Sequence, residues 1–450
     1  MSETYQGPVD AIRRLARRGA ASSLRRALGK SRAEDIAVAM RQLAPAEQRL
    51  VVGMIDDDQV LADVLTRAED QEIAGLARHI GFERLVRALD QMEVDDEADV
   101  IARLPEEVRA QVLGAIEQSD KEHVEDILAW PEDSAGGIMQ PLAFRLRQDV
   151  TCREAVHALH EQQEDLEMVF YIYVEDEQGQ LVGVTSLRGL LTHPPSTPLS
   201  ELITADVISV TPDTDQEEVA RIVSRYGLLA VPVIDSSRRL LGIVTIDDVV
   251  DVIREEAAED MMLMAGVGDE LEAHSTSTFR SARQRLPWLL VTMAGGMVMA
   301  EVIGSFETML SREAIVAGFI PVMMGMGGNV GIQAATLAVR NIAVGAIDAK
   351  GAVSTVLREA RVGLLLGITF SILLGIFSAV RHQRPMLGVA IGGAVLVELI
   401  VATSVGAAIP LIMRRLGADP AIATGPFVTT CIDFVAINIY FLSCYFILGL

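Results

Sequence analysis

Cysteine, histidine and aromatic residues are scarce in this chain. Its 450 residues include three cysteines, seven histidines and 4% aromatic residues. Cys152, Cys431 and Cys444 stand far apart, with no CxxC spacing, so the sequence predicts neither a disulfide framework nor a zinc site. The sequence also contains no nucleophile–base pair and no phosphate-binding loop. We therefore do not expect an enzyme.

The beginning of the chain lacks the apolar core of a secretory signal peptide, so the soluble part is expected in the cytoplasm. Charge is divided unevenly along the length. Residues 1–285 carry 54 acidic and 29 basic side chains, whereas residues 286–450 carry 8 and 9. An acidic soluble half thus precedes a nearly neutral, apolar half. The negative excess of the first half repels itself unless cations neutralise it.

The acidic half is predicted to begin with helices. Residues 1–130 have a helical pattern with brief acidic or Pro-containing turns, which is typical of an all-α superhelical domain. Within it, residues 9–30 form a basic helix that either lies on anionic lipid or caps the acidic helices behind it. Its basic side chains are Arg13, Arg14, Arg17, Arg18, Arg25 and Arg26.

Residues 131–253 alternate short apolar strands with helices, which predicts an α/β fold, and they contain an internal repeat. FYIYVEDEQGQLVGVTSLRGLL at 170–191 aligns without gaps with LAVPVIDSSRRLLGIVTIDDVV at 229–250. This strand–turn–strand–helix unit resembles a tandem pair of CBS motifs. Such pairs are sensory modules, and some bind adenine nucleotides between the repeats.

Residues 246–285 are predicted to connect the CBS pair to the apolar half. Residues 246–270 have the pattern of one long helix, and several of its acidic side chains share one side. Such a face is usually only solvated, but its place directly before a membrane domain favours a lever that moves the spans. The acidic residues are Asp248, Asp251, Glu255, Glu259 and Asp260.

Residues 286–450 are predicted to form a five-helix transmembrane domain. The apolar stretches 287–306, 314–339, 362–380, 386–411 and 422–449 each reach the length of about 20 residues that a bilayer requires. With the soluble half inside, nine basic residues flank the cytoplasmic ends and three lie outside, which places the C-terminus outside. The nine are Arg280, Arg283, Arg285, Arg340, Lys350, Arg358, Arg361, Arg414 and Arg415; the three are Arg312, Arg381 and Arg384.

The last apolar stretch contains one ionised side chain, Asp433. A carboxylate near the bilayer centre costs about 2.5–3.5 kcal/mol on insertion scales, so it requires water, a cation or a hydrogen-bond partner. No basic residue lies on the same stretch. We interpret Asp433 as the centre of a cation pathway. The alternative is a carboxylate that is hydrogen-bonded between helices and serves packing.

The second apolar stretch, IPVMMGMGGNVGIQAATLAVR, carries further polar oxygens. Pro321 and the glycines are expected to expose backbone carbonyls to a water-filled cavity, although glycines alone also suit close helix packing. Asn329 and Gln333 follow one helical turn apart. Oxygen ligands without cysteine or histidine suit a hard cation, Mg²⁺ or Ca²⁺.

The number of carboxylates suggests how such a cation is held. Mg²⁺ is usually bound by one or two carboxylates with several waters retained, and two chains meeting at a twofold axis would supply two copies of Asp433. Glu301 and Glu398 are further carboxylates of the apolar half. We predict Glu301 at the outer end of its span and Glu398 in helix packing or in a pore vestibule.

The segments EDSAGGIM, TIDDVVDVI, RLPWLL, GGNVGIQAATLAVR and DPAIATGPFVTTCID resemble the MgtE family of magnesium channels, and the resemblance covers nearly the whole chain. It implies a homodimer in the plasma membrane with a pore between the second and fifth spans. Asp433 would bind hydrated Mg²⁺, supported by Asn329 and Gln333. The regulatory carboxylates that it implies are Asp95, Asp99, Asp215, Glu217, Asp248, Asp251, Glu256, Glu259 and Asp260.

The sequence departs from the family pattern at three positions. Ile332 stands between Asn329 and Gln333, where some relatives carry a polar residue. Gly227 replaces an acid of the second CBS repeat. Gly189 replaces an Asp that relatives often carry, which counts against adenine-nucleotide binding at the CBS pair.

The expected mechanism is a Mg²⁺-selective uptake channel that is closed by its own cargo. Mg²⁺ would bridge carboxylates of the helical domain, CBS pair and connecting helix, and its loss would let these domains repel one another. Two alternatives stay open: an H⁺- or Na⁺-coupled divalent cation transporter using Glu301 or Glu398, and a membrane sensor of Mg²⁺ or nucleotide that does not conduct. Membrane lipid is an expected partner, and nucleic acid is not.

Overall fold

The computed structural model describes residues 3–68, 70–116, 118–162, 169–267, 278–343, 351–422 and 424–449. The chain divides into two compact units, Met1–Ile253 and Arg254–Leu450. Lys350, one of the basic residues predicted at the cytoplasmic ends of the spans, lies outside the described residues, as does the side chain of Arg280.

The first unit begins with an all-α domain, which confirms the predicted fold class. Helix α1 (Glu3–Arg17) packs against α3 (Ala33–Met40), α3 packs against α5 (Asp58–Thr66), and α5 packs against α7 (Phe82–Leu89). Short helices stack in this way because each buries its apolar face only against its neighbours. Within the described residues the helices are α1 (Glu3–Arg17), α2 (Ala21–Leu28), α3 (Ala33–Met40), α4 (Pro45–Val52), α5 (Asp58–Thr66), α6 (Asp70–Ile80), α7 (Phe82–Leu89), α8 (Val94–Ala102), α9 (Glu106–Val112) and α10 (Gln118–Leu128).

The prediction of one basic helix over 9–30 was wrong, because the chain turns at Gly19, with φ +64°, between α1 and α2. Both helices pack on the helical domain. Ile12 and Leu24 are fully buried in the core of the helical domain. Arg25 forms an ion pair of 3.3 Å with Asp56. These apolar side chains are therefore not free to enter lipid, while most of the arginines remain exposed.

Two β-hairpins follow, and their geometry repeats with the offset of 59 found in the sequence. Strand β1 (Arg145–Arg147) pairs in parallel with β2 (Tyr171–Glu175), which pairs with β3 (Leu181–Ser186) in antiparallel fashion. Strands β4 (Ala230–Ile234) and β5 (Leu240–Thr245) form the second hairpin. The helices around them are α11 (Cys152–Glu161), α12 (Leu187–Thr192) and α13 (Gln216–Tyr226), with a 3₁₀ turn at Leu199–Glu201.

The two hairpin turns share a left-handed backbone conformation at one position, but a different residue occupies that position in each turn. Asp176 and Asp235 each accept two backbone N–H groups of their own turn at 2.8–2.9 Å. Gly179 adopts φ +75° in the first turn, and Arg238 adopts φ +63° at the corresponding place in the second. This left-handed backbone costs a non-glycine residue about 1 kcal/mol or more.

Exchanging the residue types in these turns should change stability in opposite directions. Arg238→Gly is expected to raise the free energy of unfolding by about 1 kcal/mol, because it relieves the left-handed strain. Gly179→Ala should lower it by about 1 kcal/mol through the backbone alone, since a Cβ there meets no atom within 4 Å. Urea unfolding of the detergent-solubilised chain measures both effects. A change in the same direction for both variants would contradict the assignment.

The connecting helix is shorter than predicted. Helix α14 runs from Ile246 to Met264, and the chain turns at Gly266 with φ +71°. The prediction of a helix to residue 270 was therefore wrong beyond Met264, because a residue in the left-handed region ends a helix. Residues 268–270 lie outside the described residues.

The second unit contains five described helices that are long and apolar enough to span a membrane, which confirms the predicted number: Arg285–Ser305, Ala314–Ala343, Ala352–His382, Pro385–Arg415 and Gly425–Leu448. Their elements are α15 (Thr278–Ser305), α16 (Glu307–Arg312), α17 (Ala314–Ala317), α18 (Ile320–Ala343), α19 (Ala352–His382), α20 (Pro385–Arg415) and α21 (Gly425–Leu448). Helix α20 is the most buried span and packs against α18, α19 and α21.

From Ile320 onward the second span is one continuous helix, which corrects the expectation of irregular backbone near its glycines. Helix α18 is uninterrupted from Ile320 to Ala343. Pro321 lies in its first turn, where the missing N–H would have no helical partner. The carbonyls near the glycines therefore belong to a regular helix.

Candidate functional site

Asp433 lies where the second and fifth spans cross. A Cβ added to Gly328 of α18 would stand 3.4 Å from Asp433 Oδ1 and 3.3 Å from Thr429 Cγ2. Asp433 Oδ1 is buried and has no hydrogen-bond partner among the described residues. This geometry counts against the alternative in which Asp433 is hydrogen-bonded between helices for packing.

The glycines of the second span divide into two groups. A Cβ on Gly327 would lie against Glu398 of α20, and a Cβ on Gly331 would lie against Ile432 of α21. These two glycines, with Gly328, let three spans approach closely, as the packing alternative proposed. Gly325 differs, because nothing lies within 4 Å of its Cβ position.

The polar residues of the second span occupy its open side. Gly325, Asn329 and Gln333 are exposed within this chain, at intervals of four residues along α18. An exposed amide at membrane depth is costly against lipid, so this side suits a water-filled path or a second chain.

The connecting helix ends against the start of the fifth span. A Cβ added to Gly425, which has φ +55°, would approach the carbonyl oxygen of Met264 to 2.5 Å. A Cβ added to Gly266 would stand 2.6 Å from Cγ of Pro426. Two glycines thus allow α14 and α21 to meet, about two helical turns along α21 from Asp433.

An apolar cluster and a carboxylate cluster lie at the same junction. Leu263 packs with Val339, near the end of the second span, and with Ala421. Burial, together with the negative charges of Asp419 and Glu256, raises the pKa of Asp260 to about 6. Sequence reasoning missed Asp419. Its only sequence signal was its position directly before Pro420 in the segment DPAIATG, which connects the fourth and fifth spans.

A second carboxylate pair lies within the first unit. Asp95 of α8 is buried, and its Oδ1 has no hydrogen-bond partner among the described residues. Burial and the negative charges of Asp248 and Asp96 hold the pKa of Asp95 well above its usual range. Burial likewise raises the pKa of Asp248 to about 7, although Thr245 donates its hydroxyl to this carboxylate. A cation placed between Asp95 and Asp248 would neutralise both.

The other predicted regulatory residues lie elsewhere. Asp99 forms an ion pair of 3.6 Å with Arg103. Asp215 is the N-cap of α13 and accepts the backbone N–H of Glu217 at 2.8 Å. Asp251 and Glu259 are exposed along α14, and Glu256 is half-buried. Among the described residues, no group of three or more His, Cys, Asp and Glu side chains is arranged to hold a metal ion.

A small cavity lies between the two CBS repeats. It measures about 10 Å³ and is lined by Phe170, Tyr171, Tyr173, Ala230 and Thr245, among others. A cavity of this size holds about one water molecule. Gly189, the departure noted in the sequence, lies near the first repeat's Thr185 and Ser186.

Removing one charge of the Asp95–Asp248 pair should stabilise the Mg²⁺-free protein. Both pKa values are raised, so the folded chain binds protons more tightly than the unfolded chain. The free energy of unfolding therefore decreases as pH rises from 3.8 to about 7. Asp248→Asn is expected to flatten this decrease and to raise the melting temperature at pH 7.5 in a chelating buffer.

Thermal unfolding of the full-length protein between pH 5 and pH 8 measures this effect. Asp99→Asn is the matched control, since Asp99 lies on the same helix as Asp95 but is paired with Arg103. The same pH slope in native protein and Asp248→Asn would contradict the like-charge interaction.

Three family models match the helical, CBS and membrane parts of the chain separately. A family model described as the MgtE intracellular N domain matches residues 31–133, and a CBS domain model matches residues 199–255. The MgtE model, described as a divalent cation transporter, matches residues 320–443.

Curated relatives match most of the chain. The chain is 32% identical to the magnesium transporter MgtE of Bacillus subtilis over 438 residues, 97% of each chain. It is 33% identical to that of Thermus thermophilus over 426 residues, 94% of each chain. It is 38% identical to that of Enterococcus faecalis over 71% of this chain and 70% of the relative.

Among solved structures, the first unit is similar to the cytosolic domain of the Mg²⁺ channel MgtE in complex with ATP. The TM-score is 0.51 at 32% identity, and the match covers 54% of this chain and 99% of that chain. Relatives above 30% identity thus extend over nearly the full length, in the helical, CBS and membrane parts alike, and the chain belongs to the MgtE family of divalent cation transporters.

Proposed function

We propose that this protein is a homodimeric, Mg²⁺-selective uptake channel whose permeation site is Asp433. The observation that carries the proposal is the buried Asp433 Oδ1, which has no hydrogen-bond partner among the described residues beside Gly328 of the second span. A carboxylate in this position is stabilised by a cation. The three relatives at 32–38% identity are named magnesium transporters, which supports Mg²⁺ as the cargo.

The oxygen chemistry supports a hard divalent cation. Asp433 supplies a carboxylate, and Asn329 and Gln333 supply amide oxygens on the open side of the neighbouring span. Mg²⁺ keeps several waters and needs one or two carboxylates, so two chains that face each other along α18 and α21 form the site. The exposed amides of the second span would then face water and the partner chain instead of lipid.

The proposed gate is the junction of α14 with α21. Mg²⁺ between Asp95 and Asp248, and near Asp260, Glu256 and Asp419, would hold α14 in one position by neutralising repelling carboxylates. When cytoplasmic Mg²⁺ falls, the repulsion returns and α14 shifts. The contacts of Met264 with Gly425 and of Gly266 with Pro426 transmit this shift to the fifth span.

Two further parts complete the proposal. The soluble domains lie in the cytoplasm and the C-terminus lies outside, because basic residues flank the cytoplasmic ends of the spans.

An adenine nucleotide binds at the CBS pair, as the ATP complex of the similar cytosolic domain suggests. Entry of an adenine ring requires Phe170, Tyr171 and Tyr173 to move, since the present cavity holds only one water.

Removing the charge of Asp433 should abolish most Mg²⁺ uptake. The variant Asp433→Asn keeps the shape but loses a charge-assisted contact worth about 3 kcal/mol, which corresponds to about a 100-fold loss of flux. The measurement is Mg²⁺ influx into liposomes with a fluorescent indicator, at low Mg²⁺ on the cytoplasmic side. Glu301→Gln is the matched control, because Glu301 is an exposed carboxylate in the last two turns of the first span.

The outcomes separate the candidate functions. Flux in native protein and Glu301→Gln, with little in Asp433→Asn, supports the channel. Equal flux in all three would make Asp433 structural. Flux that follows an imposed H⁺ or Na⁺ gradient would instead indicate coupled transport, and no flux in the native protein would indicate a sensor.

A further inference from the structure

Glu398 is a buried carboxylate that is not among the residues of the proposed permeation site. It lies in the middle of α20, the most buried span, and its exposed fraction is 1%. Neither of its carboxylate oxygens makes a hydrogen bond of normal geometry with the described residues, although the backbone N–H of Gly327 acts on this carboxylate. An unpaired carboxylate in such surroundings costs several kcal/mol, so packing alone does not account for it.

Among the described residues, no basic group acts on Glu398. The groove beside it is lined by Val401, Ala402, Ile432 and Ala436, with further apolar side chains of α20 and α21, and it leaves no room for a water molecule. The charge of Asp433 acts on Glu398 and repels it. A cation near both carboxylates would remove this repulsion.

The second span brings these two carboxylates to adjacent positions. The carboxylate of Glu398 fills the space beside Gly327, and that of Asp433 lies beside Gly328. Two consecutive glycines of α18 therefore lie against the carboxylate of α20 and against that of α21. The next residue along α18 is Asn329, on the open side of the span.

We propose that Glu398 is a second cation-binding carboxylate, so that each chain supplies two negative charges to the permeating divalent cation. This inference rests on the proposed function and deepens it. The charge of Glu398 acts on a cation at Asp433 across the Gly327–Gly328 step, and electrostatic attraction is strong where water is excluded. In the proposed homodimer the two copies of Asp433 balance the charge of one divalent cation, and the two copies of Glu398 add negative charge that favours a divalent over a monovalent cation.

The test compares charge and shape at position 398. Glu398→Gln keeps the shape and removes the charge, whereas Glu398→Asp keeps the charge. Mg²⁺ influx into liposomes is measured against external Mg²⁺, with Na⁺ influx measured in parallel. Glu398→Gln is expected to raise the half-saturating Mg²⁺ concentration about tenfold, with a smaller change in maximal rate, and to increase the share of Na⁺ influx. Glu398→Asp should keep the native half-saturation to within a few-fold.

The possible results distinguish this inference from the proposed function. If native protein conducts Mg²⁺ and Glu398→Gln has native half-saturation and selectivity, Glu398 is a packing residue and the inference is overturned. Equal impairment of Glu398→Gln and Glu398→Asp would overturn it as well, because shape and not charge would then matter. If native protein and Glu301→Gln carry no flux, the proposed function itself fails.

Discussion

The structure depends on the cost of holding carboxylates in an apolar environment. Asp433 and Glu398 lie in the membrane half, and each has at least one buried oxygen without a hydrogen-bond partner among the described residues. A protein meets this cost with a cation or with water. The glycines of α18 follow from the same constraint, because only a span without side chains at Gly327 and Gly328 allows both carboxylates to approach it.

Carboxylates that are buried close to other negative charges also occur outside the membrane-spanning helices. Asp95 is buried beside Asp248 on α14, and Asp260, further along that helix, is raised in pKa by Asp419 and Glu256. Each cluster repels itself without a cation. Helix α14 ends against Gly425 and Pro426, so the proposed mechanism links neutralisation along this helix to the position of the Asp433 span. In that mechanism, the transported ion and the regulating ion are the same and bind the same kind of site.

Features set by periodicity were predictable. The internal repeat with its offset of 59 predicted both CBS hairpins, and the hydropathy of the second half predicted the number of spans. Features set by single backbone positions were not: Gly266 ends α14 early, and Pro321 falls in a first turn and leaves α18 regular. Asp433 was recognisable because it is isolated among apolar residues. Asp419 was missed because one acid in a short loop has no pattern, and the partners of Asp99 and Asp215 are local contacts that spacing does not show.

The central claim is that α14 controls the fifth span through their junction. The most direct measurement is a reversible cross-link between cysteines placed at Leu263 and Ala421, which are packed together in the structure. The background is a chain with Cys152, Cys431 and Cys444 replaced. The account predicts that Mg²⁺ influx into liposomes becomes independent of cytoplasmic Mg²⁺ after oxidation, and that reduction restores the dependence. The same Mg²⁺ response in the oxidised and reduced protein would contradict it.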